Sequence, residues 1–178
     1  MLIHHCQIGG LLRKNHLVEI THIAGLPLLE SKTMTYESVM SHDSHLEFLQ
    51  RAKNVGYRTY LYFIGVEDPV INKDRVKNRE KLGGHGVPED KITPRYKRSM
   101  GQLFEACLLV NRAYIFDNSL SGYYMVAEVH EGELTVHNES PAAQLSWHKT
   151  YLIDKFDTKN KSKKIIWNEY YRNPGTAP

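Results

Sequence analysis

Apolar residues change their spacing several times along this chain, and each change marks an element. In the first thirty residues Leu11, Leu12, Leu17, Val18, Ile20 and Ile23 recur with partial helical spacing, interrupted by Gly9-Gly10 and Gly25 before Pro27, which predicts broken helix. The alternating, β-branched run from Lys32 to Ser38 predicts a strand. Ser41 or Asp43 then offers an N-cap for HLEFLQRAKNV, whose Leu46, Leu49 and Ala52 share one helical face until Gly56 stops it. Tyr57 to Val66, rich in aromatic and β-branched residues with almost no charge, predicts a central strand buried on both faces. Asp68 and Pro69 supply a cap and a first-turn proline for a helix that runs to Gly83-Gly84.

After the GGHGV turn, Pro88 opens PEDKI, and Thr93-Pro94 predicts a restart for a helix through RYKRSMGQLFEACLLVN. AYIFDN follows as a strand, YYMVAEVHEGELTVHN as a hairpin turning at Glu131-Gly132, and AAQLSWHKTYLIDKF as a closing amphipathic helix. Alternation of strands with helices predicts an α/β fold, a parallel sheet flanked by helices, with the hairpin and last helix appended. No internal repeat is visible. Residues 1–154 read as one domain, and residues 155–178 as a Lys-rich polar segment with a frayed NPGTAP end.

Composition narrows the class. A chain of 178 residues with 41% hydrophobic and 24% charged residues can bury a core. No apolar run reaches the length of a membrane span and the start lacks a signal-peptide centre, so the expectation is a cytoplasmic protein without membrane attachment. Cys6 and Cys107 are too few for a disulfide framework and lack a C-x-x-C spacing, which predicts reduced thiols, Cys107 in the core. With 23 basic against 20 acidic residues the net charge is +3, too balanced to predict a nucleic-acid partner. The tract Lys155 to Lys164 is the local exception, read as a solvated linker or tail, with a phosphate or nucleic-acid patch as the alternative.

Candidate chemistry concentrates in two places. Arg75 and Arg79 are one helical turn apart and share a face, with Lys73 and Lys77 beside them, and Arg95 and Arg98 follow on the next helix. Arginine suits phosphate because its planar fork donates two parallel hydrogen bonds and stays charged. A solvated surface making weak salt bridges with Asp74, Glu80 and Glu89 is the plainer reading of the same residues. Glu37, near the end of the first predicted strand, could face the ligand crevice of an open α/β sheet and hold a hydroxyl or act as a base; a glutamate on an edge strand facing water is the alternative. His42, His45 and His85 have no common metal-ligand spacing, and no metal site is expected of them. Asp117 and Asn118 end a strand where they can cap a turn.

The run TYESVMSHDSHLEFLQRAKNVGYRTYLYFIG, then RVKNREKLGGHGVPEDKI, RYKRS and RAYIFDNS, resembles in order and spacing the zeta-toxin-like P-loop kinases over about Thr35 to Ser119. The resemblance implies a P-loop-kinase-like α/β domain that uses ATP and Mg2+ to phosphorylate a small hydroxylated substrate, of the UDP-amino-sugar type, with an antitoxin protein as a partner. It implies that Glu37 and Ser38 face the substrate, that Arg75, Arg79 and Arg95 surround a mobile lid and act in catalysis, and that Gly83, Gly84 and His85 form the lid turn. Such chemistry needs positioning and positive charge more than covalent catalysis. The family's phosphate loop, G-x-x-x-x-G-K-[ST], is absent: Gly9-Gly10 is followed by Leu-Leu-Arg-Lys-Asn. The expectation is therefore a kinase domain incomplete at its N-terminus and inactive as this chain, or a non-catalytic binding or self-association module descended from one.

Overall fold

The computed structural model describes residues 37–137, 140–159 and, for their backbone, 165–167. The broken helix expected in the first thirty residues, Cys6, and most of the Lys32 to Ser38 strand lie outside these residues. Glu37 and Ser38, which lie within them, are in irregular chain leading to the first helix, so the strand does not extend to that pair.

Helix α1 covers Ser44–Asn54 and buries Phe48, Leu49 and Ala52. Asp43 occupies its N-cap position without a side-chain cap bond, the carboxylate instead accepting from Gln102 Nε2 at 3.0 Å. Gly56 ends the turn at φ +86°, a left-handed conformation that glycine adopts without a Cβ penalty. Strand β1 (Tyr60–Gly65) leads into α2 (Pro69–Lys81), where Val70 N–H donates to Asp68 Oδ1 at 2.7 Å and Pro69 sits at the first position, the arrangement read from the sequence.

The next segment departs from expectation. EDKI and RYKRSMGQLFEACLL form one helix, α3 (Glu89–Leu109), which has Pro88 as its N-cap residue and runs through Pro94. The proline lies in the second turn. The carbonyl it leaves without an intrahelical donor belongs to exposed Asp90, where water can meet it, so the helix continues. Its buried side, including Tyr96, Met100, Leu103, Phe104 and Cys107, explains why the break does not take hold.

Strand β2 (Arg112–Asp117) pairs in parallel with β1, Tyr60 opposite Arg112 and Gly65 opposite Asp117. Strands β3 (Tyr124–His130) and β4 (Glu133–Val136) then add antiparallel neighbours, and the three-residue β5 (Ile165–Trp167) pairs in parallel with β4, giving the order β1-β2-β3-β4-β5. The sheet is thus mixed rather than parallel: the expected hairpin joins the sheet instead of standing beside it. Its two-residue turn, Glu131 at φ +48° and Gly132 at φ +78°, has the positive angles that match strand twist in a tight hairpin.

Burial alternates along β1 and β2. Leu61, Phe63, Ala113 and Ile115 join α1 and α3 in the core, whereas Tyr60, Tyr62, Ile64, Arg112, Tyr114 and Phe116 on the opposite face are half-buried. Where a central strand buried on both faces was expected, β1 stands first in the strand order among the described residues, and its burial alternates, one face in the core and the other half-buried. On the other face Tyr62 stacks on Tyr114 at 5.0 Å, and Arg112, lying over Tyr114, bonds Glu128 at 3.0 Å.

The closing helix is shorter than its pattern. Residues 141–144 form turns, and a helical run covers 147–159, with a π-helical turn at Lys149–Ile153 before α4 (Asp154–Lys159). This run buries Trp147, His148, Leu152, Ile153 and Phe156. Cys107 is fully buried in the core, where the sequence places it. No helix among the described residues is long and apolar enough to cross a membrane.

Candidate functional site

Ligands of open α/β sheets gather at the carboxyl ends of parallel strands, and in this chain that place is where β1 and β2 end side by side. Gly65 closes β1 against the ring of Trp147; a Cβ there would stand 2.5 Å from the indole, so the strand end and the helical run fit only with glycine. Asp117 closes β2 and is fully buried. Its carboxylate accepts from Ser119 N–H at 2.7 Å, Ser119 Oγ at 2.8 Å and Trp147 Nε1 at 2.8 Å. A buried carboxylate with three donors is a satisfied structural group. The turn-capping role read for Asp117 is therefore present, and the indole bond adds a long-range one.

The next residues extend this network. Glu67 N–H donates to Ser119 Oγ at 2.7 Å, and its carboxylate accepts from Ser146 N–H at 2.8 Å, from Trp147 N–H at 3.1 Å and from the Ser146 hydroxyl. Tyr96 Oη donates to the carbonyls of Val66 at 3.0 Å and Glu67 at 3.1 Å. Burial, reinforced by neighbouring Tyr151 and the carboxylates of Glu67, Asp68 and Asp117, pushes its phenol far above the ordinary range, so it stays a donor. His148, 2% exposed, is pushed down by burial, against the pull of Asp117, Glu67 and a hydrogen bond with the Ala143 backbone.

The α2–α3 hairpin rises from this edge. Arg75, at the middle of α2, reaches across to the Asn118 carbonyl, and Asn118 N–H donates to Gly65 O at 2.9 Å, so the helix is tied to both strand ends. At the far end Gly83 takes φ +82°, Gly83 N–H bonds Glu80 O at 3.0 Å, and Gly84 N–H bonds Arg79 O at 3.0 Å, a Schellman closure of α2. Arg79 folds back to donate to the His85 carbonyl. Gly83, Gly84 and His85 are exposed, and Leu82 beside them is 88% exposed. Arg95 is exposed on α3 and makes no hydrogen bond or ion pair among the described residues, while Arg98 donates to Ser41 O at 3.0 Å.

The other half of the expected site is less assembled. Glu37 is exposed, and Ser38 Oγ accepts from Met40 N–H at 3.1 Å in the stretch before α1. No bond among the described residues ties Ser38 to Arg75, Arg79 or Arg95. A groove of about 440 Å³ opens between α2 and the start of α3, with Val76, Val87 and Ile92 in its lining. At its rim Lys73 and Lys77 approach Glu89 at 3.3 and 3.9 Å, which gives those lysines the plain salt-bridge role. Among the described residues no three His, Cys, Asp or Glu side chains converge as a metal set requires.

Glu67, Tyr96, Ser119, Ser146 and Trp147 escaped the sequence reading. The pair Glu67-Asp68 at a strand end was a usable signal, but only Asp68 has a partner within the local pattern. The lysine tract is described as far as Lys159, within a helix that starts at Asp154 and buries Phe156; residues 160–164 lie outside the described residues.

No protein-family model matches the chain, and no solved structure matches it. A Haemophilus influenzae protein, described as uncharacterized, is 38% identical over 60 residues, covering 34% of this chain and 43% of that protein. The chain thus matches less than half of that relative's length, and the similarity brings no activity with it.

Proposed function

We propose that this chain is the lid-bearing and substrate-facing part of a zeta-toxin-like phosphotransferase, a cytoplasmic domain whose reaction class is transfer of the ATP γ-phosphoryl group to a small hydroxylated molecule, of the UDP-amino-sugar type. The observation that carries it is the exposed α2–α3 hairpin, anchored by Arg75 at the carboxyl end of a parallel strand pair and turning on Gly83-Gly84 beside Arg79. Such a hairpin can bring mobile positive charge over phosphates. Arg75 and Arg79 would exchange the backbone carbonyls they hold for phosphate oxygens; Arg95 is already exposed to solvent.

On this reading the described arginines would serve as the cationic side of an ATP site, with its floor to come from elsewhere. The 178 residues contain no G-x-x-x-x-G-K-[ST] loop, Asp117 is fully engaged, and no acidic cluster offers a Mg2+ set among the described residues. ATP and Mg2+ therefore do not fit the described residues as they stand, and the chain alone is expected to be inactive. Calorimetry of the purified chain checks both halves. A UDP-activated amino sugar should bind, weakened by Glu37→Ala, whereas Mg-ATP should not. Failure of the sugar to bind removes the substrate half of the proposal, and magnesium-dependent ATP turnover by this chain overturns the inactivity.

The same missing loop favours a second reading, a non-catalytic module that binds a partner protein, such as an antitoxin, or a second copy of itself. Light scattering across a concentration series distinguishes it: a monomer at every concentration removes self-association.

A further inference from the structure

Glu67 and Asp68 are consecutive, yet they serve different helices. Asp68, with an extended backbone at φ −130° and ψ 136°, caps α2 through Val70 N–H. Glu67 turns its carboxylate the other way, onto the amides of Ser146 and Trp147 and the Ser146 hydroxyl, where the helical run 147–159 begins. Both are carboxylates on helix amino ends, where unpaired N–H groups and the helix dipole favour negative charge. The Glu67 backbone is also pinned, its N–H to Ser119 Oγ and its carbonyl to Tyr96 Oη from α3.

The geometry points to Glu67 as a positioning residue through which the C-terminal helical run sets the orientation of the arginine-bearing α2. Because Asp68 follows Glu67 directly and the Glu67 backbone is itself bonded to Ser119 and Tyr96, a backbone shift at Glu67 carries the α2 cap with it. Helix α2 buries only Asn72 and Val76 fully, with Ile71 packed in part against the core, so ties of this kind bear on its orientation. Among the described residues its first turn is held by the Asp68 cap and its middle by Arg75 on Asn118, next to the Ser119 that also binds Glu67. A ligand or partner that displaces Ser146 would therefore loosen α2 without touching it. The coupling does not depend on the hairpin closing over a nucleotide, so it stands apart from the phosphotransfer reading.

Amide hydrogen exchange of the full chain, with Ser146→Ala and Ser146→Thr, tests it. Ser146→Ala removes one bond to Glu67 and should raise exchange roughly three- to tenfold at 147–152 and also at 70–76 in α2, with α1 unchanged. Ser146→Thr, which keeps the hydroxyl, should restore both regions. Faster exchange at 147–152 with α2 unchanged overturns the coupling. So does an equal rise in α1, which would signify general loosening, and so does no rise anywhere.

Discussion

The two ends of α2 are built to opposite rules. At its base, Gly65, Asp117, Trp147, Glu67 and Ser119 are packed and bonded to one another across residues far apart in the chain. At its tip, Leu82 is 88% exposed, Gly83 to Gly86 lie in solvent, and the bonds that close the turn stay within the hairpin. A base so determined and a tip so lightly held describe a lever: stability belongs at one end and freedom to move at the other.

The comparison breaks most readily at the base. Trp147→Ala should cost about 3–5 kcal/mol, because it removes a buried ring and also takes from Asp117 one of its donors. Urea unfolding measures it, as a lower midpoint with unchanged slope. A loss below about 1 kcal/mol would mean that the base is no more fixed than the tip. Gly65→Ala comes next, at about 1–3 kcal/mol, since its Cβ meets three indole carbons between 2.5 and 2.8 Å and either the strand or the ring must shift.

At the tip the same measurement should barely respond. Leu82→Lys is expected to change stability by less than about 0.5 kcal/mol, because nothing buries the leucine. A larger loss would mean that Leu82 packs against something in solution and that the hairpin is not the free end.

The two regions also differ in how far they can be read from sequence. The hairpin's devices are local: Asp68-Pro69 announces the start of α2, Gly83 its end, and Glu131-Gly132 a tight turn elsewhere, each within a few residues of its partner. The base depends on tertiary meetings. Nothing near Gly65 predicts an indole against it, and nothing near Glu67 predicts that its acceptors face Ser146. Tertiary packing also overrode local signals, as when the buried side of α3 carried the helix through Pro94, and when β3 and β4 joined β2 to make the sheet mixed. Of the candidate site, the placement of Arg75 and Arg79 one turn apart on a helix was legible because helical spacing alone defines it. The relation of Glu37 and Ser38 to those arginines was not, because it rests on how distant segments come together.

The smallest expected effect sharpens the comparison through pH. Burial lowers the pKa of His148, which lies beside Trp147, and of His137 on the hairpin side of the sheet; His45 is lowered too, by burial and then by nearby His42. For each, the unfolded chain binds a proton more readily than the folded one, so their contribution is fully present above the ordinary value of 6.5 and is lost as pH falls through 6.5 towards the lower folded value. The urea midpoint should therefore fall on acidification from pH 7.5 to 5.5, and His148→Gln should flatten part of that slope. Gly83 to Gly86 lie in solvent, so amide exchange at 82–88 should follow only the ordinary chemical pH dependence, whereas protection at 147–152, beside buried His148, should weaken below pH 6.5. Equal loss of protection at both ends would mean that base and tip open together, and that the lever is a single rigid unit.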